Sequence, residues 1–328
     1  MIRLGFAGFR HGHIFSLYSA AAEHSGVEIA GAWEDFEEVK GFAADKYKVN
    51  FTHETYASMI EDPSIDAIAI GNYFGARGQM AIDALRAGKH VTSDKPLCTS
   101  ITQLNEIERL SREKNLKVGL MLDLRHNKNI VAAQKLVLDG EIGDVSCIYF
   151  GGQHPLNYGT RPNWYFEDGK HGGTINDIAI HGVDLVRFIT GFGVQKVEGA
   201  RCWNGFATEE KDFKDSAQFM ATLENGAGLI ADVSYALPDS FGFNMPCYWM
   251  FQFWGTEGMI TFTVASNGVT LYKNGDNEPK ILAGLETKVH YLDDFLSDIK
   301  ENTDLNTREM LRSSRETLNI QAAADMNA

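Results

Sequence analysis

Residues 1–20 read MIRLGFAGFRHGHIFSLYSA, and the fold is decided here. Ile2 to Ala7 is a short apolar run that stops at Gly8, and a helical pattern runs from His13 to Glu23. A buried strand passing into a helix across a glycine turn is the opening unit of a dinucleotide-binding domain. Glycines there let the backbone approach a pyrophosphate at the helix N-terminus. The turn is Gly8-Phe9-Arg10-His11-Gly12-His13. Gly8 holds the first glycine position, but Arg10 and His13 hold the second and third, so the fingerprint is partial and a βα turn without a nucleotide would read the same way. Arg10 would set a permanent cation beside the phosphates, and Gly12 would relieve crowding. Arg10 and the helix start at His13 are therefore expected to face a pyrophosphate.

Working outward, Val27 to Trp33 is a second buried strand that ends on Glu34 and Asp35. A carboxylate about twenty residues beyond the turn accepts hydrogen bonds from the adenosine ribose and repels a 2′-phosphate. Glu34 is assigned this role, with Asp35 as the substitute, so NAD is favoured over NADP. A polar helix is expected over Phe36–Tyr47. Phe51 to Tyr56 then leads into a short helix through Met59. Further strands are expected at Ile65–Ile70, His90–Ser93 and Lys117–Leu122, with helices at Gln79–Ala87 and Ile101–Asn115. That alternation predicts right-handed βαβ units and a doubly wound parallel sheet over residues 1–123.

After Asp123 the texture changes. A helix spans Lys128–Leu138, and strand-like segments then dominate: Val145–Phe150, Lys196–Trp203, Ser216–Leu223, Gly228–Tyr235, Tyr248–Trp254, Met259–Val264 and Val269–Tyr272. Turns such as Glu224-Asn225-Gly226 join several of them. Helices are expected at Ile175–Ile189 and from Tyr291 to the C-terminus. Residues 124–328 thus read as an α+β domain with an antiparallel sheet that buries one face.

The chain has 328 residues, a formal net charge of -14 and 44% hydrophobic residues, an ordinary soluble composition with room for two domains. The negative surplus argues against nucleic acid as a partner, and no apolar run is long enough to span a bilayer. Cys98, Cys147, Cys202 and Cys247 are scattered and form no CxxC pair, which fits reduced thiols and a cytoplasmic location.

Two further stretches carry a resemblance. Gly88-Lys89-His90-Val91 followed by Asp94-Lys95-Pro96-Leu97 resembles a GKHV-like turn leading to a Glu-Lys-Pro motif, with aspartate in place of glutamate. Gly172-Gly173 through Asp177, His181 and Asp184 is similar to a GG-x-x-x-D-x-G-x-H-x-x-D stretch, with Ala179 replacing a glycine. Asp215-Ser216 and Gly255-Thr256-Glu257-Gly258 add landmarks in the same order. On these motifs the chain resembles the glucose–fructose oxidoreductase / inositol dehydrogenase / rhizopine-catabolism (Gfo/Idh/MocA) family over nearly its whole length.

The resemblance implies a Rossmann domain followed, over residues 124–328, by an α+β substrate-binding and oligomerisation domain with a large, mostly antiparallel sheet. It also implies an active site between the two domains, and a sheet face used in a homodimer or homotetramer. It implies that Lys95 is the catalytic lysine, and that Asp177 and His181 form the catalytic pair. Asp94, Lys95 and Pro96 would lie at the cofactor, together with the Gly8–His13 turn. The family's Thr-Pro-Asn-x-x-His segment is replaced by Asn72-Tyr73-Phe74-Gly75-Ala76-Arg77. Asn72, Tyr73 and Arg77 are therefore expected to make altered cofactor or substrate contacts.

The chemistry that follows is hydride transfer between nicotinamide and a secondary alcohol of a sugar, cyclic polyol or sugar acid. His181 would serve as base, since imidazole titrates near neutrality. Asp177, one helical turn earlier, would orient it or bind a neighbouring hydroxyl. Lys95 would stabilise the developing alkoxide. Tyr158, Arg161 and Trp164, with neighbouring Tyr165, are candidates for substrate binding, as is Arg125. No metal is expected, although His154, His171, Asp177 and His181 form an alternative ligand set. The alternatives to a dehydrogenase are a glycoside-cleaving or isomerising enzyme that retains NAD, and a non-catalytic nucleotide sensor.

Overall fold

The structure is a computed structural model, described here for residues 1–326. It divides into two compact units, one of residues Met1–Met121 with His290–Arg315, the other of Leu122–Val289 with Glu316–Ala328.

The first unit is built on β1 (Ile2–Ala7), α1 (His13–Glu23), β2 (Val27–Trp33), α2 (Glu37–Tyr47), α3 (Tyr56–Glu61), β3 (Ala67–Ile70), α4 (Phe74–Arg86), β4 (His90–Ser93), α5 (Ile101–Lys114) and β5 (Val118–Leu120). The five strands pair in parallel in the order β2-β1-β3-β4-β5. The order reverses between β1 and β3, which places the turn after β1 at the switch point of the sheet. β3 is buried at every position, as a parallel strand covered on both faces requires. Ser100 caps α5 by accepting from the amide of Gln103.

Helix α4 starts at Phe74, five residues before the expected start at Gln79. Gly75 and Gly78 hide this helix from a propensity reading. A Cβ on Gly78 would stand 2.3 Å from the Gln103 side chain, so its glycine serves close approach of α4 and α5 rather than a break.

The second unit contains α6 (Lys128–Leu138), β6 (Val145–Pro155), α7 (Ile180–Thr190), β7 (Val194–Trp203), β8 (Ser216–Leu223), β9 (Gly228–Leu237), β10 (Trp249–Gly255), β11 (Gly258–Thr263), β12 (Val269–Lys273) and β13 (Lys280–Leu282). Its eight strands run in the order β13-β12-β11-β10-β6-β9-β8-β7. All neighbours are antiparallel except β6 and β9. Phe150, Phe219, Trp249, Phe251 and Phe253 fill the covered face. On β8 and β9 the intervening residues Met220 and Ile230 are exposed. Strand β13 had no counterpart in the sequence pattern, and β6 runs five residues beyond the expected Phe150.

The C-terminal segment forms α8 (Tyr291–Glu301) and α9 (Leu305–Asp325). His290–Arg315 belongs to the first unit, a correction to the expected boundary. The physical reason is burial: Tyr291, Leu292 and Phe295 join the core of Leu4, Phe6 and Leu17. Thr307 also accepts from the amide of Val118 on edge strand β5.

Candidate active site

In the first unit the turn after β1 is laced to the end of β3. Gly8 has φ +83°, and a Cβ there would lie 2.8 Å from the backbone nitrogen of Asn72, so glycine is required twice over. The amides of Arg10 and His11 donate to Gly71 O at 3.0 and 3.3 Å. Gly12 stands at the N-cap of α1, and no side chain caps the helix. The helix start is thus left to a ligand or to water.

Arg10, expected beside a pyrophosphate, is paired within the unit. Its Nε donates to Glu34 Oε1 at 2.8 Å and its Nη2 to Asp35 Oδ1 at 2.7 Å, while its guanidinium lies 4.4 Å over Phe36. Glu34 is also spoken for: it accepts from the amides of Phe9 at 2.6 Å and Phe36 at 2.9 Å. Burial raises the Glu34 pKa despite these bonds. At Asp35 burial is outweighed by Arg10, which holds its carboxyl below the usual range. Glu34 fastens the turn, whereas the Asp35 side chain is 56% exposed and faces outward.

Asp94, Lys95 and Pro96 leave β4 at the carboxyl end of the sheet, and the Lys95–Pro96 peptide is cis. Arg77, expected to contact a ligand, is wholly buried and holds this turn instead. Its Nε donates to Asn72 O (2.7 Å), its Nη1 to Asp94 O (2.9 Å) and Lys95 O (2.5 Å), and its Nη2 to Asp94 Oδ2 (3.1 Å). Asn72 is likewise buried, and its side chain accepts from the amide of Tyr73 at the start of α4. The Lys95 Nζ lies 5.7 Å over the Phe74 ring.

Two histidines of the glycine turn meet Asp94. His11 Nδ1 is 2.5 Å from Oδ2, and His13 Nδ1 is 3.3 Å from Oδ1. Burial opposes charge on Asp94, but Arg77 and the two histidines hold its pKa well below the usual carboxylate range. Burial pushes His11 down to about 4 in spite of Asp94, so its ring is neutral at physiological pH.

In the second unit Asp177 sits in a π-helical turn, Ile175–Ala179, that runs directly into α7. Such single-turn bulges mark places where a helix departs from register to aim a side chain. Asp177 is buried, and Tyr235 at the end of β9 donates a short hydrogen bond to its Oδ2. His171 Nε2 lies 3.0 Å from the Tyr235 oxygen and 3.5 Å from Asp177 Oδ2. Burial and the Asp177 charge raise the Tyr235 pKa well above its ordinary value, so the phenol keeps its proton. His181 is buried on the first turn of α7, its ring 5.7 Å from Trp249. Tyr235 escaped the sequence reading because it ends an ordinary strand pattern, and His171 entered it only as a possible metal ligand.

The expected substrate arms are largely internal. Arg161 donates to Leu156 O and Pro155 O and stacks over Tyr165 and Tyr235. Trp164 is buried and stacked on Tyr165 at 4.1 Å. Arg125 forms a two-pronged pair with Asp184 of α7. Tyr158 is exposed, and its hydroxyl donates to Glu210. The two arginines and Trp164 thus have partners within the unit. Among the described residues, the set His154, His171, Asp177 and His181 does not close on a common point, whereas His11, His13 and Asp94 bring one ligand atom each within 4.8 Å of one another.

Comparison with known proteins agrees with this architecture. Residues 2–121 match the model of an oxidoreductase family with an NAD-binding Rossmann fold. Residues 130–261 match that of the GFO/IDH/MocA C-terminal domain. The chain is 27% identical over 237 residues to scyllo-inositol 2-dehydrogenase (NAD(+)) of Bacillus subtilis, covering 71% of this chain and 65% of that protein. It thus spans less than two-thirds of that relative's own length. Inositol 2-dehydrogenase of Salmonella paratyphi B is 24% identical over 82% of this chain and 75% of its own. A solved structure of an Erwinia carotovora atroseptica protein superposes with a TM-score of 0.86 at 27% identity, covering 99% of each chain. The chain belongs to the Gfo/Idh/MocA family of oxidoreductases.

Proposed function

We propose that the chain is an NAD-dependent dehydrogenase acting on a secondary alcohol of a sugar, a cyclic polyol or a sugar acid. The observation that carries this reading is the common address of the glycine turn and Lys95. Both lie at the carboxyl ends of parallel strands, β1 and β4, which flank β3 beside the switch point, where open α/β sheets bind their ligands. The uncapped start of α1 and the open space at Gly12, with no atom within 4 Å of a Cβ position, fit a dinucleotide pyrophosphate.

The Gly8–His13 backbone would hold the pyrophosphate, and Asp35 would accept from the adenosine ribose while Glu34 fastens the turn. When bound, the nicotinamide supplies the hydride acceptor. Lys95 stabilises the negative charge that grows on the substrate oxygen, and His181 takes the hydroxyl proton. Asp177, held by Tyr235 and His171, orients the substrate or the imidazole. The exposed sheet face carrying Met220 and Ile230 is assigned to self-association as a homodimer or homotetramer, and the scattered cysteines, with no CxxC pair, accord with the cytoplasm.

The test is a screen of sugars, inositols and sugar acids with NAD and NADP, read as reduced-nicotinamide absorbance. Turnover with NAD, abolished by Lys95→Ala, is the expected result. No reduction with any secondary alcohol would overturn it. Product formation with no release of reduced cofactor would mark a cleaving or isomerising enzyme.

A further inference from the structure

We propose that His11, His13 and Asp94 form a binding site for a divalent metal ion of the zinc, cobalt or nickel class. The three groups come from separate parts of the first unit, the glycine turn, the first residue of α1 and the end of β4. Their donor atoms lie within 4.8 Å of one another. Imidazole nitrogens with one carboxylate oxygen suit borderline divalent ions rather than magnesium or calcium.

The second observation is an unmet need at the centre of the cluster. Asp94 is completely buried, yet its Oδ1 makes no hydrogen bond, and neither does His13 Nδ1, which faces it at 3.3 Å. Buried polar atoms of this kind are nearly always satisfied. Two ligands of a tetrahedral ion with bonds of about 2.0–2.1 Å stand roughly 3.3–3.4 Å apart. The spacing of the two unmet atoms is therefore that of two ligands sharing an ion.

His11 reaches the same carboxylate through Oδ2. Three protein ligands leave a fourth position, and Gly12 between the histidines contributes no side chain to fill it. Arg77 at 3.1 Å from Asp94 Oδ2 opposes a dication, so the site is weaker than a closed structural zinc centre. The proposal concerns metal binding alone and is tested in the absence of nicotinamide, because its residues share the Gly8–His13 turn with the proposed pyrophosphate site.

The experiment uses the full chain stripped with a chelator and titrated with Co(II) by visible absorption and Zn(II) by calorimetry. The expected result is one ion per chain, with His11→Ala and His13→Ala each weakening binding at least about ten-fold. His154→Ala, which alters a histidine of the other unit, leaves binding unchanged. His13 is 40% exposed at its side chain, so its variant tests the site without disturbing the core. Absence of stoichiometric binding, or equal affinity in the wild type and both histidine variants, overturns the proposal.

Discussion

Arg77 and Asp94 form an ion pair from which solvent is wholly excluded, with Nη2 3.1 Å from Oδ2. The same guanidinium gathers the carbonyls of Asn72, Asp94 and Lys95, so one α4 side chain fixes the backbone that carries the lysine. Removing one partner of a buried pair leaves the other charge stranded, at a cost of about 3–5 kcal/mol. Arg77→Met is expected to lower unfolding stability in urea by that amount. Loss of less than about 1 kcal/mol would show that the pair is not what holds the turn.

The proposed function assigns the ribose contact to Asp35 rather than to Glu34. Asp35→Ser is expected to reduce the ratio of kcat/KM for NAD over NADP by about ten-fold or more, through loss of repulsion toward a 2′-phosphate. Glu34→Gln is expected to act mainly on stability, because its carboxylate accepts from Phe9, Phe36 and Arg10. If Glu34→Gln shifts the cofactor ratio more than Asp35→Ser, that assignment is wrong.

These cases show what the sequence disclosed. Alternation of strands and helices made the parallel sheet legible, because burial on both faces writes itself into runs such as Ala67–Ile70. The motif around Lys95 and the Asp177–His181 spacing were legible through family resemblance. The partners of the arginines were not legible for a physical reason: a guanidinium finds carboxylates and carbonyls inside the fold that no local pattern reveals. Arg10, Arg77, Arg125 and Arg161 all do so. Tyr235 was invisible because its bond to Asp177 joins residues 58 apart in sequence.

Tyr235→Phe removes the donor that restrains Asp177 while preserving the ring. A buried carboxylate deprived of one hydrogen bond costs about 1–3 kcal/mol. The variant is expected to lose about ten-fold or more in kcat/KM and to shift the pH–rate profile. An unchanged profile would mean that Tyr235 only packs.

Thiol reactivity should follow burial. Burial pushes Cys98 up to about 12 and Cys202 up to about 11, whereas Cys147 lies exposed on β6. Alkylation at pH 8 is carried by the thiolate, so Cys147 is expected to be modified first. Cys98 and Cys202 should react only after unfolding in urea. Mass spectrometry that finds Cys98 modified in the native chain would contradict this burial.

His90 gives the first unit a dependence on pH whose sign follows from one hydrogen bond. Its Nδ1 accepts from the amide of Lys117 at 2.9 Å, joining β4 to the segment before β5, and can do so only without a proton. Burial, followed by the charge of Lys117, lowers its pKa from the ordinary 6.5. Below that ordinary value the unfolded chain binds a proton that the folded chain refuses, so stability falls as pH drops. Above it both states are neutral and the effect vanishes. Urea midpoints are therefore expected to decline from pH 7.5 to pH 5.5. His90→Asn, which keeps an acceptor but cannot titrate, should decline less over the same interval. Parallel declines in the two proteins would place the acid sensitivity elsewhere and leave the bond to Lys117 as packing alone.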